Sequence, residues 1–277
     1  MPPAPNPNLP LQERLLALAK TLQFAWFAGH LTLILTTFRY FLSWLRLNYY
    51  GGMAQFCYRT SFLAAATTYG IVVYKTQRAR AKTGTKPPLG VVGYLSDENV
   101  QYLLLALVWL ISPQYPLALL PYSVYSIFHI ATYTRANLIP TISPPSADSP
   151  KKEEGPIAQK IGYFVKEHYT ASMSIVSSLE ILLWARLLLS AIFFQRRSWI
   201  LIALYTAFLR ARFALSPHVR GSISQLGARV DSLVGAQGTP PAVRQIWEGV
   251  KSFSKQFHDA TDAGKYLQTG SAAKKTS

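Results

Sequence analysis

Inside the long apolar runs of this sequence stand His30, Arg59, His129, Glu180 and Arg186. A titratable group in such a place is costly and is a functional candidate by default. His30, His129 and Glu180 are the intramembrane polar candidates, able to line a path for a solute or ion, although single neutral imidazoles are more often hydrogen-bonded within a helix bundle than catalytic. Arg59 and Arg186 have stems long enough to snorkel to an interface. Metal chemistry is not expected: neither histidine has a His, Asp or Glu at i+4, and the lone Cys57 offers neither a disulfide nor a cysteine zinc site. The chain has no glycine-rich phosphate loop, no G-x-S-x-G elbow and no H-E-x-x-H helix, so no catalytic residue, cofactor or metal is assigned and a non-enzymatic role is expected.

A second kind of chemistry is written in the tail as periodicity. Val219, Ile223, Leu226, Val230 and Leu233 recur at spacings of four, three, four and three behind Ser216, a suitable N-cap, and Pro217, suited to a first helical turn. This stripe fits a membrane surface and a protein partner equally well. Val243, Ile246, Trp247, Val250, Phe253 and Phe257 form another stripe, with Arg244, Lys251 and Lys255 among the intervening positions. Aromatic rings bounded by cations favour the acyl boundary of a bilayer, and each Lys or Arg near an anionic leaflet adds about 1 kcal/mol. A shorter leucine series, Leu11, Leu15, Leu18 and Leu22, leads directly into the first long apolar run.

The elements that must carry these residues follow from composition. Half of the 277 residues are hydrophobic and only 14% are charged, where a soluble domain has roughly 25% charged. Yet 28 Lys and Arg face 12 Asp and Glu, a formal net charge of +16. A nucleic-acid binder is rarely this apolar, and an acidic disordered regulator is excluded. An all-α, polytopic integral membrane protein built of helical hairpins, with a basic cytosolic tail of amphipathic helices, satisfies both numbers.

Read along the chain, residues 1–20 form an N-terminal cytosolic segment without the basic and apolar regions of a cleavable signal peptide. Residues 21–74 form a first transmembrane hairpin turning at Gly51-Gly52, with Ser61/Ala65 and Ala64/Thr68 as small-residue pairs for close helix packing. A basic loop, 75–98, is cytosolic by the positive-inside rule. Residues 99–134 are interrupted by Pro113, Pro116 and Pro121 and fit a shallow bent hairpin, a single kinked helix being the competing reading. A Pro- and Ser-rich linker, 135–171, precedes a third hairpin, 172–209, and the basic tail, 210–277.

The run Tyr122-Ser123-Val124-Tyr125-Ser126-Ile127-Phe128-His129-Ile130-Ala131-Thr132-Tyr133-Thr134 resembles the core of the transmembrane protein 33 family. Residues 61–70, Ser96-Asp97-Glu98 with Tyr102, Glu180, and residues 205–212 extend the likeness in the same order. The resemblance implies a non-enzymatic integral protein of the endoplasmic reticulum and nuclear envelope, linked to nuclear pore complex distribution or assembly and to tubule organisation. Partners so implied are nucleoporins and reticulon-type membrane-shaping proteins. The basic tail adds anionic lipids of the bilayer and an import receptor as expected partners, but no nucleic acid. A transporter or channel of small solutes or ions, lined by His30, His129 and Glu180, is the alternative from another class.

Overall fold

A computed structural model describes residues 9–84, 91–144 and 155–261. The proline-rich start, the Pro87-Pro88 part of the basic loop, residues 145–154 of the Pro/Ser-rich linker and the Lys-rich end lie outside the described residues. The chain divides into two units, residues 1–222 and 223–277. All regular structure among the described residues is helical.

In the first unit α1 (Leu11–Ala19) leads into α2 (Leu22–Leu45), whose N-cap Thr21 accepts a hydrogen bond from the Phe24 amide at 3.1 Å. At about 1.5 Å per residue α2 is roughly 36 Å long, enough to cross a hydrocarbon core. It packs along α3 (Gly52–Thr83). Their seam is close because it is lined by small residues: a Cβ on Gly29 would lie 2.5 Å from Cγ2 of Thr68. Ser61, Ala64, Ala65 and Thr68 are all buried, and the Ser61 hydroxyl meets those of Thr36 at 2.7 Å and Thr37 at 3.2 Å. Short hydroxyls thus satisfy one another where backbones approach, as in lipid they must.

Beyond the short α4 (Val91–Leu95), Asp97 caps α5 (Glu98–Ile111) by accepting from the Asn99 amide at 2.9 Å. Only about 21 Å long, α5 ends short of a full crossing, so its last carbonyls need donors inside the protein. Arg59 supplies them, its Nη1 donating to the carbonyls of Trp109 at 2.9 Å and Leu110 at 2.6 Å. Arg59 therefore caps a helix rather than snorkelling. Arg186 also stays local, donating to the Ser190 hydroxyl and lying 5.8 Å from the Tyr115 ring centre.

The prolines do what their lack of N–H dictates. Pro113 lies in the break after α5, Pro116 opens a 3-10 turn (Pro116–Ala118), and Pro121 sits in the first turn of α6 (Leu119–Tyr133). A π-helical stretch (Thr134–Leu138) and the short α7 (Ile139–Ile142) follow. α8 (Pro156–Ile192) begins well before the apolar run at Ser172, with Pro156 in its first turn. After a turn with Phe194 and Arg197 at positive φ comes α9 (Ser198–Leu215). α8 and α9 are both long and apolar enough to cross a membrane. α3 packs on α5, α6 on α2 and α8, and α8 on α9, around an aromatic core that includes Tyr58, Phe62, Tyr102, Trp109 and Tyr122.

α10 (Pro217–Gly235) has its first turn in this unit, where Ser216 accepts from the Val219 amide at 3.4 Å and Val219 is buried. The second unit holds the rest of α10, a turn through Gly238 at φ +96°, and α11 (Pro241–Ala260).

Candidate functional site

Four helices of the first unit converge on one buried guanidinium. Arg212, from the last turn of α9, has its Nη1 2.6 Å from Glu98 of α5 and its Nε 3.4 Å from Oε1 of Glu180 of α8. Its Nη2 donates to the Tyr125 hydroxyl of α6 at 3.4 Å, and Tyr125 donates to Glu98 at 3.2 Å. The Tyr102 hydroxyl donates to the other side of the cluster, on Oε1 of Glu180, and the guanidinium lies 5.4 Å from the Tyr102 ring centre. Glu180 is 1% exposed and Arg212 4%. Two charges so far from water persist because each is paired and hydrogen-bonded; removing either partner strands the other.

The sequence candidates separate here. His30 and His129 come together, ring centres 4.7 Å apart, with Trp26 at 4.6 Å from one and 4.9 Å from the other. His30 Nδ1 lies 2.9 Å from the Ser126 hydroxyl, which is consistent with a neutral imidazole held in a bundle. Glu180 is bonded elsewhere, to Arg212 and Tyr102. Sequence reading assigned Arg212 to the basic tail and Glu98 to a loop boundary and gave neither a role. The available signal was an Arg three residues beyond the 172–209 segment whose only acid is Glu180. No group of three metal-ligating side chains occurs among the described residues.

Beside the cluster opens a cavity of about 440 Å³, bordered by Glu98, Tyr125, His129, Tyr169, Arg212 and His218 among others. It lies where the N-terminus of α5, the C-terminus of α9 and the first turn of α10 meet.

The second unit is organised by one carboxylate. Asp231 of α10 accepts from the Trp247 indole N–H at 2.7 Å and from Lys251 Nζ at 3.1 Å; Lys251 also lies 2.7 Å from Glu248. The indole and ammonium donors hold the Asp231 carboxyl below its ordinary value, and Glu248 and Asp231 raise that of Lys251. Trp247 is thereby turned toward α10 and is half-buried. The rest of the stripe is open: Ile246 is 68% exposed and Phe253 70%, with Val243, Val250 and Phe257 also exposed. Arg244 donates to the Ala236 carbonyl at 3.2 Å across the turn, and Lys255 is exposed. In α10, Ile223 and Val230 are partly covered while Leu226 and Leu233 are exposed.

Residues 11–259 match the family model described as Transmembrane protein 33/Nucleoporin POM33. The chain is 58% identical over 286 residues to a Chaetomium thermophilum protein named nucleoporin POM33, covering 100% of this chain and 99% of that one. It is 31% identical to the pore membrane protein of 33 kDa of Saccharomyces cerevisiae, covering 88% of each. It is 30% identical to tetra-spanning protein 1 of Schizosaccharomyces pombe, covering 90% of this chain and 88% of that one. No solved structure matches the chain. These relatives are named as a nucleoporin, a pore membrane protein and a tetra-spanning protein, none for a reaction. With its all-helical structure and two apolar helices of membrane-crossing length, the chain belongs to the transmembrane protein 33/nucleoporin POM33 family, membrane proteins of the nuclear pore and endoplasmic reticulum.

Proposed function

We propose that this chain is a non-enzymatic scaffold that shapes the membrane of the endoplasmic reticulum and nuclear envelope and contributes to nuclear pore complex distribution or assembly. Three hairpins, α2 with α3, α5 with α6, and α8 with α9, anchor it. The brevity of α5 and the capping of its end by Arg59 support a re-entrant middle hairpin between two full ones. That count accords with the tetra-spanning name of the fission-yeast relative. Nucleoporins, reticulon-type proteins and an import receptor are the protein partners this reading requires.

The observation that carries the proposal is the open apolar stripe of α11 beside its cations. Along the hairpin the paired residues diverge from the turn in opposite directions, Arg244 with Ala236 and Lys251 with Asp231, so the helices run antiparallel. At about 100° per residue, Asp231 lies roughly 120° round α10 from the middle of its stripe and Trp247 roughly 80° round α11, in the same sense. Antiparallel helices joined through such positions turn both stripes to one side. Leu226, Leu233, Ile246, Val250 and Phe253 then form one lipid-facing surface, which inserted into one leaflet expands it and favours curvature.

Flotation of the full chain's tail, residues 210–277, with small anionic vesicles tests this. Replacing Ile246 and Phe253 by Asp is expected to lower the bound fraction at least tenfold, and neutral lipid to weaken binding further. Unchanged binding would sink the claim. The alternative, a transporter lined by His30, His129 and Glu180, is disfavoured because Glu180 is committed to Arg212 and Tyr102, away from the imidazole pair.

A further inference from the structure

We propose that the cavity beside Arg212 is a seat for the ammonium headgroup of a zwitterionic phospholipid. Its volume, about 440 Å³, lies within the range of small-molecule sites. Its position is set by helix ends: Glu98 begins α5, Arg212 stands in the last turn of α9, and His218 in the first turn of α10. Apolar helices end at the headgroup level of a bilayer, so the cavity opens where headgroups are.

Charge decides which headgroup. Arg212 is the cation of the wall, yet its Nε, Nη1 and Nη2 are engaged by Glu180, Glu98 and Tyr125, and one face of its guanidinium lies over Tyr102. With the guanidinium so committed, the cluster offers it to no bare phosphate, and the open carboxylate beside it suits a cation. Glu98 supplies the attraction at the rim: its side chain is 48% exposed, and only its Oε1 is occupied by Arg212 and Tyr125.

The wall completes the match. Tyr69, Tyr125, Phe128 and Tyr169 line the cavity, with His129 stacked on Tyr125 at 6.4 Å and Tyr169 edge-to-face with Phe128 at 5.7 Å. Aromatic faces around a carboxylate are the environment that binds alkylammonium groups, through the ring quadrupole and through burial of the methyl groups. A phosphatidylcholine or phosphatidylethanolamine headgroup carries such an ammonium at this level of the bilayer, and diacylglycerol lacks it.

The test uses the full chain purified in detergent and incubated with equal amounts of phosphatidylcholine and diacylglycerol, an uncharged lipid that the basic tail does not attract, the retained lipid being extracted and quantified. Phosphatidylcholine is expected to be retained about tenfold over diacylglycerol, and Glu98→Gln or Tyr169→Ala to reduce that preference severalfold. Tyr169 is half exposed, so its replacement keeps the fold even if the Glu98 variant does not, and thermal unfolding of each variant verifies this. Millimolar tetramethylammonium is expected to displace the lipid. Equal retention of the two lipids, or a preference that neither well-folded variant moves, would overturn the proposal. Binding of tetramethylammonium with no lipid retained would assign the cavity to a free organic cation and overturn the lipid source.

Discussion

Arg212 and Lys251 each lie between two acidic side chains, Glu98 and Glu180 for the first, Asp231 and Glu248 for the second. On paper the two clusters are alike. Their surroundings are opposite: Glu180 and Arg212 are almost wholly covered, while Lys251 and Asp231 are 41% and 52% exposed. In water an ion pair competes with hydration and contributes little, so the tail's pair can set an orientation without being essential to stability. Inside the helical unit each charge depends on its partner, so the same chemistry becomes a requirement of the fold.

The largest expected effect follows from taking the buried pair apart. Arg212→Met leaves Glu180 uncompensated and is expected to destabilise the chain by about 3–5 kcal/mol in detergent, read by thermal unfolding. Adding Glu180→Gln should recover much of that loss. If Arg212→Met costs no more than Lys251→Met, burial is not what distinguishes the clusters.

An uncharged contact in the same unit sharpens the point. Gly29→Ala forces a Cβ against Thr68 Cγ2 and is expected to cost about 1–3 kcal/mol, with Thr68→Ser recovering part by removing that methyl. A neutral outcome would show that α2 and α3 have slack at this seam, and that charge alone makes the first unit intolerant.

In the tail, Asp231→Asn should leave the unfolding of the helical unit unchanged while shifting the Trp247 indole N–H resonance, because the carboxylate acceptor has gone. A drop in the main unfolding temperature would contradict the contrast between the two clusters.

The smallest effect is a pH dependence. The folded carboxyl of Asp231 titrates below its unfolded value of about 3.9, so the stabilisation is fully present above that value and is lost only as pH falls through the lower folded one. The indole resonance should therefore hold steady down to about pH 4 and move only below it. Movement near pH 6 would assign the latch to another group.

Much of this was legible in the sequence, for reasons that particular residues show. Ser216-Pro217 opens a helix because capping and a missing N–H act within one turn. The prolines near 113–121 break the third apolar run for the same local reason, and the stripe at Val243, Ile246, Val250, Phe253 and Phe257 is a matter of period alone. The sequence placed His30 and Glu180 on apolar helices but could not pair them. Glu180 meets an arginine 32 residues away, and that arginine meets a tyrosine 87 residues away. Gly29 was equally silent, since a glycine in an apolar helix shows its purpose only when Thr68 is seen against it.

Composition and period therefore determined the class of this protein: a helical membrane chain with a large positive balance and a tail of two apolar stripes. Those properties belong to single helices, where the forces act between residues three or four apart. Tertiary structure decided which charges are buried and which stay wet, which helix end Arg59 caps, and where a cavity remains. Such matters depend on the meeting of surfaces from distant segments, and in a low-dielectric interior that meeting sets whether an ion pair is optional or indispensable.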